Sequence, residues 1–157
     1  MSKSKPQGPS GALPTCPQAA IQIAVDTQYV VGQGGGDNLT TGVYLVDNEI
    51  ENGSTGEGTM NLYTVVPTET FISWTAFPIN PNTDDTVAIT GFTVNQGPVF
   101  GSNGYPRQQP SGDWVGEAID QGKQTYTIQL TITNGLGQTT SLEVDPGIHA
   151  KGPQDAK

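Results

Sequence analysis

From Gln124 to Thr133 the chain alternates without a break: Tyr126, Ile128, Leu130 and Ile132 fall on one side, Thr125, Thr127, Gln129, Thr131 and Thr133 on the other. Period two over this length describes a strand with one buried and one wet face, and a buried face requires a second layer to cover it. Asn134-Gly135 follows directly, a pair suited to the left-handed backbone of a tight hairpin turn, and Thr139 to Val144 supplies the returning strand.

The same period recurs along the chain. Ile21 to Val31 reads as the first strand, with Ile21, Ile23, Val25 and Thr27 set against Gln22, Ala24 and Asp26, and Gly32 to Asp37 breaks it. Val43 to Val46 is a second strand, followed by an acidic, Gly-rich loop from Asp47 to Gly58. Thr59 to Val66 and Phe71 to Phe77 come next, with Pro67-Thr68-Glu69 turning between them and Pro78 and Pro81 ending the second. After a polar connection from Asn80 to Asp85, Val87 to Val94 alternates with a slip at Gly91 that predicts a bulge. Gly97 to Gly112 is a long Gly/Pro/Gln segment, and Trp114 to Ile119 reads as a short strand or one helical turn. Ile148 to Lys151 leads from the Asp145-Pro146-Gly147 turn into a polar tail. Seven to nine short strands without a helical stripe predict a single-domain, all-β fold: an antiparallel β-sandwich, Ig-like or jelly-roll-like, with a barrel as the alternative. The expected organisation is a flexible Pro/Gly/Ser leader over 1–19, the sandwich over 20–151 and a polar tail over 152–157.

Charge narrows the partners. The chain holds 6 basic and 15 acidic residues. Between Ile21 and His149 only Arg107 and Lys123 oppose 14 acids, a net of −12. Such a surface repels phosphate backbones and anionic lipid, so neither nucleic acid nor membrane is an expected partner. The first twenty residues lack the apolar stretch of a signal peptide, which predicts a cytoplasmic protein. Cys16 is the lone cysteine, which excludes an intrachain disulfide.

Few residues here are suited to acid–base chemistry. His149 is the sole histidine, no Gly-x-Ser-x-Gly elbow is present, and one Cys with one His cannot close a zinc site. Gly32-Gln33-Gly34-Gly35-Gly36 lacks the Lys and Ser/Thr of a phosphate loop. No cofactor is expected. Asp47 and Glu49 in one loop, and Asp84 and Asp85 in another, are oxygen-rich enough to be weak calcium candidates, though neither spacing is that of an EF-hand. The alternative is that they cap their own turns. The candidate ligand site is Tyr105, Arg107 and Trp114, since aromatic surface beside a planar multi-donor cation can hold a sugar or a peptide carboxylate. The competing reading has Trp114 closing the end of the core and Arg107 pairing with a neighbouring acid.

Several segments, in order, resemble the AidA/PixA-type bacterial inclusion-body family: Ile23-Ala24-Val25-Asp26-Thr27, Val43-Tyr44-Leu45-Val46-Asp47-Asn48, Asn52-Gly53-Ser54 with Glu57-Gly58, Val87 to Phe92, and Pro98-Val99-Phe100-Gly101 with Tyr105-Pro106. Trp114-Val115-Gly116-Glu117-Ala118 and Gln124 to Gln129 complete the series, so the resemblance spans roughly residues 21 to 151. It departs at Val144-Asp145-Pro146, where the family usually carries Trp-Asp-Pro. The resemblance implies a cytoplasmic β-sandwich, at times deposited in inclusions, with expression tied to cell density or host association, and it brings no catalytic residues. The expected function is therefore a non-enzymatic protein that self-associates as a homo-oligomer. Exposed Thr/Gln faces and sheet edges with few lysines are the expected routes of association. A lectin-like module binding a glycan or protein ligand is the alternative.

Overall fold

The computed structural model describes residues 18–36, 38–94 and 97–152. Cys16, most of the leader and the last five residues of the tail lie outside them. The fold is all-β, as expected, and its ten strands form two sheets around one core.

The first sheet runs β2 (Val43–Asp47), β1 (Ala19–Val25), β4 (Thr70–Pro78), β7 (Trp114–Ala118) and β6 (Arg107–Gln108). The second runs β3 (Tyr63–Pro67), β10 (Gly147–Lys151), β8 (Gly122–Thr133) and β5 (Thr86–Val94), with β9 (Thr139–Val144) also paired to β8. The sheets are mixed rather than purely antiparallel, because β1 runs parallel to β4 and β10 parallel to β3. The chain leaves the first sheet for β3 before β4 enters beside β1, so neither pair is a hairpin and antiparallel direction is not imposed. The count exceeds the expected range partly through the two-residue β6 and through β10, which pairs on both sides.

Strand β8 fulfils its pattern: Tyr126, Ile128, Leu130 and Ile132 are buried in the core. The bulge expected at Gly91 is present, as the β5–β8 register shifts between Ile89 and Gly91. Three local expectations are corrected. The first strand stops at Val25, and Thr27–Gly32 forms a short helix, α1, because the Asp26 side chain caps it by accepting from the Tyr29 N–H. The β8–β9 turn is wider than an Asn-Gly pair would make it. Asn134 Oδ1 accepts from the N–H of both Leu136 and Gln138, and the left-handed residue is Gly137 at φ 84°. Thr59 makes only an isolated bridge to Leu45 and Met60-Asn61 is turn, so β3 begins at Tyr63.

Trp74 is the centre of the core. Its ring lies 5.0 Å from Phe92, 5.9 Å from Tyr126 and 6.1 Å from Phe100, and its Nε1 donates to the Tyr126 hydroxyl at 3.1 Å. Trp74 belongs to the first sheet and Phe92 and Tyr126 to the second, so this cluster bolts the layers together. Burial pushes the Tyr126 phenol well above its ordinary range, which keeps it a neutral hydrogen-bonding group.

Candidate functional site

The three residues proposed for a ligand do not share a face. Arg107 stands opposite Val115 and Gln108 opposite Trp114, while Trp114 stands opposite the buried Trp74. Facing partners in antiparallel strands share a side, so Trp114 turns towards the core and Arg107 away from it. Trp114 packs 5.2 Å from Phe92 and donates its indole N–H to the Ile89 carbonyl at 3.2 Å, which fits the core-closing reading. Tyr105 is half-exposed, yet its hydroxyl donates to the Phe92 carbonyl at 3.0 Å. Strand β5 has a neighbour, β8, on one side only. The polar tips of Trp114 and Tyr105 therefore cover its open edge on either side of the bulge.

Other open edges are covered too, by groups the sequence pattern did not single out. On β2, Leu45 donates to the Thr59 carbonyl (3.1 Å) and accepts from Gly58 N–H (2.7 Å), while the Asp47 N–H donates to Glu57 Oε1 (2.8 Å). On β3, Tyr63 exchanges two backbone bonds with Thr55, and Val65 N–H donates to Ser54 Oγ (2.9 Å). A single loop, Ser54 to Thr59, thus covers edges of both sheets along one side of the sandwich. On β9, Gly36 donates to the Ser141 carbonyl (2.8 Å) and accepts from Glu143 N–H (3.1 Å). Of the expected routes of association, pairing along unprotected edges is closed at these positions.

The calcium candidates are engaged in the same loops. Asp47 Oδ1 accepts from Glu49 N–H (2.9 Å) and Oδ2 from Thr64 Oγ1 (2.7 Å), and Glu49 Oε1 accepts from Asn52 Nδ2 (2.6 Å). Asp85 Oδ2 accepts from Thr27 Oγ1 (2.7 Å), and Asp84 lies against Gly135. Among the described residues no group of three or more His, Cys, Asp or Glu side chains is arranged to hold a metal ion. His149 lies on β10 beside the Tyr63 ring, 6.4 Å away.

Glu57 stands out electrostatically. Its Oε2 is buried and without a partner, and burial, followed by the Asp47 side chain beside it, holds its carboxyl above the usual range. Glu49 is shifted the same way, chiefly by burial. A carboxyl with a raised folded-state pKa binds its proton more tightly when folded. Its stabilising contribution is complete below the unfolded-state pKa and is lost as pH rises through the folded-state value. Glu57→Gln keeps the acceptor for Asp47 N–H and replaces the orphaned oxygen with a donor. We expect the variant to be more stable than wild type by about 1 kcal/mol at pH 7 to 8, or roughly 2–4 °C in Tm, with the gap closing near pH 4. Thermal unfolding against pH measures it, and a variant no more stable than wild type at neutral pH would refute the assignment.

A groove of about 610 Å³ opens at one end of the sandwich. Asp26, Thr27, Gln28, Val31 and Gly32 form one wall, Ile79, Asn80, Thr83 and Asp85 the other, and Asn134 closes it. Three distant segments build it, so no local motif announces it. Two bonds fix the walls to each other: Ile79 N–H donates to the Val25 carbonyl at 2.9 Å, and Thr27 donates to Asp85.

Comparison with known proteins places this geometry. An inclusion body protein (PixA) from Burkholderia cenocepacia J2315 has the same fold, with a TM-score of 0.69 over 85% of this chain and 94% of that one, at 14% sequence identity. At that identity the likeness speaks for the fold, and at that level it agrees with the resemblance read from the sequence. No curated protein matches. The profile of a domain family of unknown function, DUF8788, matches residues 17–140, from the approach to β1 into the start of β9. The chain belongs to the DUF8788 family.

Proposed function

We infer that this is a non-enzymatic, inclusion-body-type protein that packs with copies of itself at high concentration in the bacterial cytoplasm. The observation that supports this most is the fold shared with an inclusion body protein over nearly the full length of both chains. The covered edges refine how packing would occur. A β protein with bare edges passes at high concentration into continuous cross-β assemblies. Here β2, β3, β5 and β9 each carry bonded groups along the edge and the edge strand β6 is only two residues long, so contact falls to the sheet faces and loops. Those faces belong to a chain of net charge −9, which repels its copies at neutral pH and loses that repulsion towards the pI of about 4.2.

Acid-dependent, reversible association without fibre formation is the expected behaviour. Light scattering coupled to size exclusion between about pH 8 and pH 4 should show mass rising as charge falls and returning on neutralisation, with no thioflavin fluorescence. A monodisperse monomer across that range at high concentration would overturn the reading.

A further inference from the structure

We propose that the groove at the α1 end of the sandwich is a binding site for a small alkylammonium, a primary amine on a short aliphatic chain. Its volume, about 610 Å³, lies within the range of small-ligand sites. Its walls are preorganised, because four of the lining side chains each spend one atom on a bond that fixes the lining segments. Asp26 Oδ1 accepts from Tyr29 N–H, Asp85 Oδ2 from Thr27, Asn80 Oδ1 from Asn82 N–H and Thr83 Oγ1 from Asp85 N–H. The second carboxylate oxygen of Asp26 and that of Asp85 have no partner among the described residues. Two carboxylates, each fixed through one oxygen, therefore line a groove that has neither Lys, Arg nor His among its lining residues.

That lining selects by charge. A phosphate or carboxylate would face two carboxylates with no counter-charge, whereas an ammonium supplies three donors and the opposite sign. Val31 and Ile79, both partly exposed, supply apolar surface for the methylenes beside it. A sugar is a poorer match, since the lining has no aromatic ring for it to stack on.

The test titrates n-butylammonium, putrescine and the uncharged n-butanol into the full chain, followed by calorimetry and by the methyl resonances of Val31 and Ile79. Salt is held at about 0.15 M so that diffuse attraction to an acidic surface is largely screened. The amines should bind saturably and shift both methyls, and n-butanol should not. Asp85→Asn and Asp26→Asn each keep an acceptor for the structural bond and should weaken amine binding about tenfold or more. Glu117→Gln removes a charge at the far end of the first sheet, opposite Phe71, and should leave affinity unchanged. Equal weakening in all three variants would reduce the effect to net charge and overturn the site, as would unchanged affinity in both aspartate variants or no amine binding. Circular dichroism of each variant confirms that it is folded, and Asp26→Asn carries the test should Asp85→Asn not be.

Discussion

Trp74→Ala should lower the melting temperature by roughly 10–15 °C, a loss of about 3–5 kcal/mol. Trp74 is fully buried, and its ring touches Phe92, Phe100 and Tyr126, which come from three separate segments of the chain. Truncation removes the largest side chain of the core and leaves a cavity that strands from two sheets cannot jointly fill. It also takes away the donor to the Tyr126 hydroxyl, a polar group buried completely. Trp74→Phe separates the two contributions. It keeps an aromatic ring in place and should cost less, with the remaining deficit reflecting lost volume and the unmet hydroxyl. Thermal and urea unfolding of both variants measure this. A drop of only a few degrees for the alanine variant would show that the sheets are held together elsewhere.

What the sequence revealed here was whatever side-chain period encodes. Strand β8, the bulge in β5 and the burial of Tyr126, Ile128, Leu130 and Ile132 follow from alternation alone. Helix α1 escaped because Val25, Thr27 and the pair Val30-Val31 continue an apolar rhythm that a strand also satisfies. The signal against a strand is one aspartate in capping position, which is legible only once the Tyr29 N–H is known to need an acceptor. In the β8–β9 turn the Asn-Gly pair suggested Gly135, but Asn134 holds two downstream N–H groups and passes the left-handed position to Gly137.

The hydrogen-bond partners of Tyr105 and Trp114 were not legible for a different reason. Tyr105 and Trp114 stand out by residue type, and type does not say which carbonyl a donor will meet. Both meet the edge of β5, a strand of the opposite sheet. The coverings at Gly36, Thr55 and Thr59 are backbone to backbone, and composition carries no trace of them. The groove combines residues from 26–32, 79–85 and 134, which become neighbours only through the sheet order.

The edge coverings also make a prediction of their own, at Gly35. Its φ is 69°, and an added Cβ would overlap the Ser141 carbonyl oxygen and come within 2.7 Å of Thr140 Cγ2. In Gly35→Ala the segment must lift from β9, so Gly36 N–H loses Ser141 and Glu143 N–H loses Gly36. Left-handed strain costs roughly 1–2 kcal/mol, and each lost bond about 1 more. Gly34→Ala is the matched control: its φ of 85° imposes similar strain, but nothing lies within 4 Å of the new atom. Amide exchange at Glu143 should quicken about tenfold or more in Gly35→Ala and change little in Gly34→Ala. The bared β9 then offers donors and acceptors to a second chain, so Gly35→Ala alone should form thioflavin-positive assemblies at neutral pH, where wild type remains dispersed by its charge. Glu143 exchange at the wild-type rate would mean that the glycine segment does not cover this edge. Fast exchange without assembly would mean that charge, rather than the covering, keeps the strand from pairing.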